Sequence, residues 1–248
     1  MDEAIGSIID ALRKVGRFEN TLSLFTIDNG GCHVEYGPTR KGYYLPKKTR
    51  NGLSMKPGNL PDLMPGPEIT YQSYGYGWAN LSNTPYRLFK QYDHEGGIHT
   101  PMIAHWPKGI KAKGKTIQTL SHLVDLMPTI LEAVEISNDS PTDGRSFLPL
   151  LRGEAQEGRD AIFTQFNHIH GRTPYPMRSI ITKEFTYIFN PWSNGKRAYR
   201  AAPMSGLSFK AMQREAEKNP QVRARVHHLQ HRTVEEFYDL RQDPHSLK

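Results

Sequence analysis

An acid, an amide and two glycines follow the first strand-like stretch of the chain. The segment Ser-Leu-Phe-Thr-Ile runs directly into Asp28, Asn29, Gly30 and Gly31. If this stretch is a buried strand of an α/β sheet, the two oxygen-bearing side chains lie at the carboxyl edge, where such folds bind ligands. Asn-Gly is also among the commonest turn dipeptides. The residues alone therefore leave two interpretations open, a plain turn and a ligand-binding edge.

The composition indicates a globular protein with a positive surface. The chain has 248 residues, 37% of them hydrophobic, and no apolar run is long enough to span a bilayer. Its formal net charge of +7 favours anionic partners such as sulfated glycans, phosphates or nucleic acid. The alternative is that the positive charges form an ordinary solvated surface without a partner. We find no nucleic-acid-binding motif and predict no nucleic-acid partner. Cys32 is the only cysteine, which excludes an internal disulfide.

Periodicity predicts two amphipathic helices. The first covers residues 2–15, in a start that lacks the apolar run and cleavage site of a signal peptide. A short strand, expected to be buried on both faces, follows at residues 20–28. The second helix covers residues 119–134, where Pro128 should kink it or start a new helix. Its apolar face would comprise Leu120, Leu123, Val124, Met127, Ile130, Leu131 and Val134.

The order of the elements predicts an α/β protein in two parts. Residues 30–84 are rich in Gly, Pro, Asn and Tyr and lack periodicity, which is typical of a functional or disordered loop. A strand is expected at residues 100–106, and a Gly- and charge-rich segment predicts a boundary near residue 158. Strand-like segments with one charged helical region then predict a smaller C-terminal α+β subdomain, 159–248, after an α/β domain, 1–158.

Four motifs, in order along the chain, resemble those of the sulfatase family, which belongs to the alkaline-phosphatase-like superfamily. The first is a strand ending in Asp-Asn-Gly, at residues 20–31, and the second is Lys-x4-Glu-Gly-Gly-Ile followed by a strand and Trp-Pro, at residues 90–107. The third is Asp-x-x-Pro-Thr-x-Leu, at residues 125–131, and the fourth is Tyr-Asp-Leu-x-x-Asp-Pro, at residues 238–244. The resemblance implies the C-terminal part of the family's mixed sheet with flanking helices, followed by a small subdomain with an antiparallel sheet plus helix. From about residue 160 the chain resembles the branch containing heparan N-sulfatases more than the arylsulfatase branch.

The resemblance also implies roles for three residues. Asp28 and Asn29 would be ligands of a divalent cation, usually calcium, and Lys90 would contact a sulfate oxygen. Calcium prefers oxygen donors but takes about six to eight of them, so water, substrate or residues outside this chain would supply the rest. A positive charge at Lys90 would bind sulfate and stabilise charge on the leaving oxygen, whereas the alternative is a solvated lysine. His94 would be a structural residue or a proton donor.

The chain departs from the family at the nucleophile. Sulfatases convert a Cys or Ser within Cys/Ser-x-Pro-x-Arg into formylglycine, and this sequence contains no such motif. The Pro and the Arg of the motif do not follow Cys32. Two near-matches have Pro and Arg at the right positions, but they begin with Asn83 and Pro174 instead of Cys or Ser. We therefore expect the C-terminal part of a longer sulfatase, inactive alone, with a calcium ion partly liganded by residues that this chain lacks. The family is mostly periplasmic, secreted or lysosomal.

The predicted function is hydrolysis of sulfate esters or N-sulfate on an aryl compound or a glycan. One alternative is a related phosphatase or phosphonate hydrolase, in which His227 and His231 would bind zinc, although no third ligand is evident. Another is a non-catalytic fragment that binds sulfated glycans through its basic surface.

Overall fold

The computed structural model describes two compact units. The described residues are 2–37, 45–92, 94–137, 140–168 and 173–246. Unit 1 comprises Met1–Leu24 and Ala104–Lys248, and unit 2 comprises Phe25–Ile103. The predicted boundary near residue 158 lies inside unit 1, and the division into 1–158 and 159–248 stays a prediction. No helix in the described part of the chain is long and apolar enough to cross a membrane.

The two predicted helices are both present in unit 1. The first is α1 (Asp2–Lys14), whose acidic first turn and basic last turn complement the helix dipole. The second begins with a 3₁₀ turn (Leu123–Asp125) and continues as α4 (Leu126–Ala133). Pro128 thus lies in the first turn of a new helix, one of the two predicted outcomes, because the first amides of a helix have no intrahelical acceptor to lose.

A four-stranded antiparallel sheet forms the later part of unit 1. Its strands follow one another in sequence order and are β5 (Ala161–His168), β6 (Pro174–Thr182), β7 (Phe185–Phe189) and β8 (Glu235–Asp239). Two helices, α6 (Leu207–Glu215) and α7 (Pro220–Gln230), stand between β7 and β8 in the chain. This arrangement confirms the predicted antiparallel sheet plus helix.

Two separate apolar cores are formed by the described residues of unit 1. The first contains the buried side chains Ile110 and Phe147 with Leu148 and Leu151 of α5 (Leu148–Leu151). The second joins α6 to α7 through Phe209, Ala216 and Val226. The predicted apolar face of the second helix lies largely outside these cores. Leu123, Val124, Met127, Ile130 and Val134 are 43–56% exposed, because the helix packs on the first core through Leu126 and Ala133 instead.

Unit 2 carries the irregular stretch and short elements. β1 (Ser23–Thr26) and β4 (Met102–His105), which span the two bounds of this unit, form a two-stranded sheet. Its other elements are β2 (Lys56–Pro57), β3 (Thr70–Tyr71), α2 (Gly75–Ser82) and α3 (Glu95–Ile98). The prediction that the first strand is buried on both faces is wrong, since Phe25 is 43% exposed and β1 has one partner strand among the described residues.

A buried carboxylate ties the start of α4 to the chain that follows it. Asp125 is 6% exposed and accepts hydrogen bonds from the amides of His122 (3.1 Å) and Arg145 (2.8 Å). It also pairs with the buried guanidinium of Arg159 at 2.8 Å. Burial opposes ionisation, but these hydrogen bonds and the Arg159 charge hold the pKa of Asp125 below its usual value. Asp125 therefore contributes stability as the carboxylate.

Replacing Asp125 with alanine tests this contribution. We expect Asp125→Ala to lower the free energy of unfolding by about 3–5 kcal/mol at neutral pH, because it leaves Arg159 buried without its partner. The difference from the parent should shrink as the pH falls through the lowered pKa of Asp125, where the carboxylate is lost from the folded state. Urea unfolding measures it, and Asp10→Ala, which breaks an exposed pair with Arg13, is the control expected to cost less than about 1 kcal/mol.

A second buried carboxylate anchors β8. Glu236 is 6% exposed and accepts hydrogen bonds from Arg232 Nε (2.7 Å), Asn190 Nδ2 (2.7 Å) and Tyr238 Oη (2.5 Å). Burial, together with the hydrogen bond that it donates to Glu236, raises the pKa of Tyr238 to about 12. The neutral phenol is the form that the folded state stabilises.

The raised pKa of Tyr238 predicts a stability loss at high pH. The contribution is complete below the ordinary tyrosine pKa of 10.0 and is lost as the pH rises through about 12, because the folded state resists ionisation. We expect the free energy of unfolding to fall over this range, and to fall less in Tyr238→Phe. Tyr74→Phe, at a position that is 55% exposed, is the control. Equal slopes in the parent and Tyr238→Phe would contradict the assignment.

Candidate functional site

The loop after β1 lies directly against the Glu-Gly-Gly turn at the start of α3. The amide of Gly30 donates to the carbonyl of Gly97 at 3.1 Å. A Cβ atom added to Gly30 would lie less than 3.0 Å from the Gly96 carbonyl oxygen, and one added to Gly97 would meet the Tyr92 carbonyl as closely. None of these glycines has a positive φ, so the site requires glycine for space rather than for backbone conformation.

Backbone hydrogen bonds also join the Lys90 segment to this loop. The amide of Lys90 donates to the carbonyl of Gly31 at 3.2 Å, and the amide of Gly96 donates to the carbonyl of Arg87 at 2.9 Å. Asp28 is exposed, whereas Asn29 and Lys90 are half-buried. The structure therefore brings together the backbone segments of all three predicted residues, while the roles of their side chains stay predictions.

Asn83 holds the same loop from the other side and was missed as a positioning residue. Its side-chain oxygen accepts from the amide of Gly31 at 3.1 Å. Its Nδ2 donates to the carbonyls of Ala79 (2.9 Å) and Leu88 (3.0 Å). The sequence singled out Asn83 only as the wrong first residue of a near-match. An Asn after a helix and before Thr-Pro is nevertheless a usable signal, because such residues hydrogen-bond the nearby backbone.

His33 is a second residue that the sequence did not identify. It is 8% exposed, and its ring lies 4.8 Å from Tyr76 and 4.7 Å from Phe89 between centroids. Its Nδ1 is buried and makes no hydrogen bond within the described residues. His33 therefore packs against Phe89, the residue directly before the predicted sulfate-binding lysine. Nothing in the sequence distinguishes this histidine from a loop histidine.

The acidic residue and histidines of the Glu-Gly-Gly turn make local contacts. Glu95 is exposed and its carboxylate lies 3.0 Å from His99 Nδ1, one helical turn later. The carbonyl of His94 accepts from the amides of Gly97 (2.7 Å) and Ile98 (3.2 Å). These contacts favour the structural interpretation of His94, which caps α3 through its backbone.

The histidines proposed for zinc also lie together. The rings of His227 and His231 are 4.6 Å apart between centroids, and Nδ1 of His231 is buried. Across the described residues, no group of three or more His, Cys, Asp or Glu side chains is placed to hold a metal ion. Cys32 is exposed, as a free thiol.

Comparison with known proteins identifies the family. Residues 1–136 match the family model described as Sulfatase, which is more than half of the chain. The chain belongs to the sulfatase family. Residues 86–192 match the model described as N-sulphoglucosamine sulphohydrolase, C-terminal, in agreement with the predicted resemblance to the heparan N-sulfatase branch.

Three similar proteins are sulfatases, and the chain covers only part of each. An arylsulfatase of Klebsiella aerogenes is 30% identical over 61% of this chain and 31% of the relative. Human steryl-sulfatase is 29% identical over 79% of this chain and 28% of its own length. A solved 2-O GAG sulfatase matches 99% of this chain and 35% of its own, with a TM-score of 0.51 and 17% identity, which shows the alkaline-phosphatase-like fold alone. The chain thus spans about a third of the length of these proteins.

The close approach at Gly96 predicts a steep cost for a methyl group. A Cβ at this position would lie less than 3.0 Å from the carbonyl oxygens of Leu88 and Arg87. We expect Gly96→Ala to lower the free energy of unfolding by about 1–3 kcal/mol, because backbone atoms on both sides must move. Hydrogen exchange should show reduced protection at the amides of Gly30 and Lys90, whose hydrogen bonds cross this contact.

The matched control is Gly77→Ala in α2 of the same unit. A Cβ there would meet nothing within 4 Å, so alanine should be neutral or stabilising by up to about 1 kcal/mol. If both variants exchange as slowly as the parent at Gly30 and Lys90, the contact does not hold the loop.

Proposed function

We propose that this chain supplies the sulfate-binding part of a sulfuric ester hydrolase, with Asp28 and Asn29 as calcium ligands and Lys90 contacting the sulfate group. The observation that supports the proposal best is the backbone contact between the two segments. The Lys90 amide donates to the carbonyl of Gly31, two residues after Asn29, in a member of the sulfatase family. The substrates we propose are sulfate esters or the N-sulfate of an aryl compound or a glycan.

The donor chemistry fits a hard cation in part. A carboxylate and an amide oxygen are donors that calcium prefers, but two fall short of the about six to eight that it takes. When bound, the ion would supply positive charge that stabilises the sulfate oxygens. In this chain Asp28 and Asn29 would hold the ion from the loop, and Lys90 would attract the sulfate group with its ammonium group. Two contacts would keep this loop in place: the close approach of Gly30 to the Gly96 carbonyl, and the hydrogen bond that the amide of Gly31 donates to the side-chain oxygen of Asn83.

We expect no turnover from this chain alone. Its sequence lacks Cys/Ser-x-Pro-x-Arg, and removing the nucleophile from a set of cooperating residues removes most of the catalysis. Binding, rather than hydrolysis, is therefore the informative measurement on the chain. The match of residues 86–192 to an N-sulphoglucosamine sulphohydrolase model supports including glucosamine N-sulfate among the ligands tested.

Calorimetric titrations with calcium chloride, and then with sodium sulfate in the presence of calcium, test the site. We expect the double variant Asp28→Ala, Asn29→Ala to lose at least about tenfold in calcium affinity, or about 1.4 kcal/mol, because it removes both protein oxygens. Lys90→Gln should keep calcium binding and lose sulfate affinity by about the same factor, because it removes only the cation that faces the anion. A double variant that binds calcium as tightly as the parent would overturn the assignment.

Two controls separate the alternatives. Asp10→Asn removes an exposed carboxylate from α1 and should leave both affinities unchanged. Metal analysis of the purified chain should detect calcium rather than zinc. Bound zinc that disappears in His227→Ala would favour a related phosphatase instead.

A further inference from the structure

The excess positive charge of the chain is confined to one segment. Between residues 194 and 232 there are nine lysines and arginines and two glutamates, a formal charge of +7. The rest of the chain has 23 residues of each sign and is formally neutral. Because this segment carries the whole net charge, it is the candidate for a localised positive surface.

This segment contains the helical pair of unit 1. α6 and α7 pack through one apolar core, formed by Phe209, Ala216 and Val226 with neighbours including Met212. Lys210 and Arg214 lie four residues apart on the other side of α6, and Lys218 follows four residues later, in the turn after the helix. All three are exposed. We name these three residues the basic ridge.

Other cations of the segment already have structural partners. Arg232 is bound to the buried carboxylate of Glu236. Arg197 lies over the ring of Tyr175 at 4.8 Å, and Arg223 donates to the carbonyls of Ala216 and Glu217 at the end of α6. By contrast, no residue of the basic ridge pairs with a carboxylate within the described parts of the chain. Within the described residues, Lys196 and Arg200 are likewise exposed and without an ion-pair partner, so the ridge is the regularly spaced part of the charge that the fold itself does not use.

We propose that the basic ridge, on α6 and the turn that follows it, is a docking surface for a sulfated polysaccharide. Three ammonium or guanidinium groups in a row attract an anion whose charges also repeat along a chain, and their mutual repulsion is relieved when it binds. The choice of a sulfated glycan as the partner rests on the proposed function. The surface itself rests only on the charge and exposure of the ridge, and it lies outside Asp28, Asn29 and Lys90.

Two other polyanions fit this surface less well. Single-stranded nucleic acid is bound through exposed aromatic rings that stack on bases, whereas Tyr199 is half-buried and Phe209 is buried in this segment. An anionic membrane binds a helix through a free apolar face, and the apolar face of α6 is packed on α7. Leu207 is the one large apolar side chain of the segment that is strongly exposed.

Fluorescence anisotropy with a labelled heparin dodecasaccharide at low ionic strength tests the proposal. The variant is Lys210→Gln, Arg214→Gln, Lys218→Gln in the full chain. We expect the affinity of this variant for the dodecasaccharide to fall about tenfold relative to the parent, because three positive charges are removed. Its elution from a heparin column should move to lower salt, because fewer exposed ion pairs then have to be screened. Circular dichroism checks that the variant is folded, and Lys210→Arg, Lys218→Arg should retain parental affinity, since it keeps the charges.

The matched control removes the same charge elsewhere in unit 1. Lys108, Lys111 and Lys113 are also exposed and outside the ion pairs of the described residues, and their triple change to Gln should alter affinity less than about twofold. Equal losses in the two triple variants would overturn the proposal, because the binding would then follow net charge alone. Equal or tighter binding of single-stranded DNA of matched charge, or of phosphatidylserine vesicles, would overturn the choice of a sulfated glycan.

The outcome is separable from the test of the proposed function. Loss of heparin binding in the ridge variant, together with failed calcium and sulfate titrations at Asp28, Asn29 and Lys90, would retain the docking surface and reject the hydrolase site. The reverse pattern would retain the site and reject the ridge.

Discussion

Lack of space between backbone segments is the constraint on which the candidate site depends. Gly30, Gly96 and Gly97 lie where any side chain would collide with a carbonyl oxygen, and the hydrogen bond from Gly30 to Gly97 is possible only at that distance. This contact fixes the loop that carries Asp28 and Asn29 against the segment that carries Lys90. The glycines therefore act through packing rather than through conformational freedom, since none of the three has a positive φ.

The four motifs that carry the family resemblance divide between the site and the fold. The Asp-Asn-Gly and Lys-x4-Glu-Gly-Gly motifs meet at the candidate site. The other two motifs stabilise unit 1. Asp125, at the start of α4, accepts hydrogen bonds from the amide of Arg145 and the guanidinium of Arg159, and Tyr238 donates a hydrogen bond to the buried Glu236. Removing one partner from such a buried network costs more than its net contribution, so these residues are constrained as strongly as binding residues are. A residue of a family motif therefore indicates membership of the family, but it does not by itself indicate a role in binding or catalysis.

Sequence periodicity predicted the helices well and their buried faces poorly. The first helix and the new helix near Pro128 are present at the expected positions. However, the apolar stripe from Leu123 to Val134 is mostly exposed, and Thr129, a polar residue, is fully buried with its hydroxyl bonded to the Asp125 carbonyl. Periodicity detects an apolar face but contains no information on which partner covers it. In the candidate site, the motifs located Asp28, Asn29 and Lys90, whereas Asn83 and His33 contribute through contacts distant in sequence, which no local pattern encodes.

The arginines of the C-terminal segment show why net charge alone is a weak guide to binding. Arg232 and Arg223 satisfy a buried carboxylate and the end of a helix, so their charges are compensated by carboxylate and carbonyl oxygens within the fold. Lys210, Arg214 and Lys218 are exposed at every fourth residue instead, and the apolar side of α6, which carries the first two, is already packed. A cation that the fold already uses would have to break an interaction to bind a ligand, whereas an unpaired exposed cation loses only its hydration. The distinction between these two groups, rather than the sum of their charges, is what makes the ridge a specific surface.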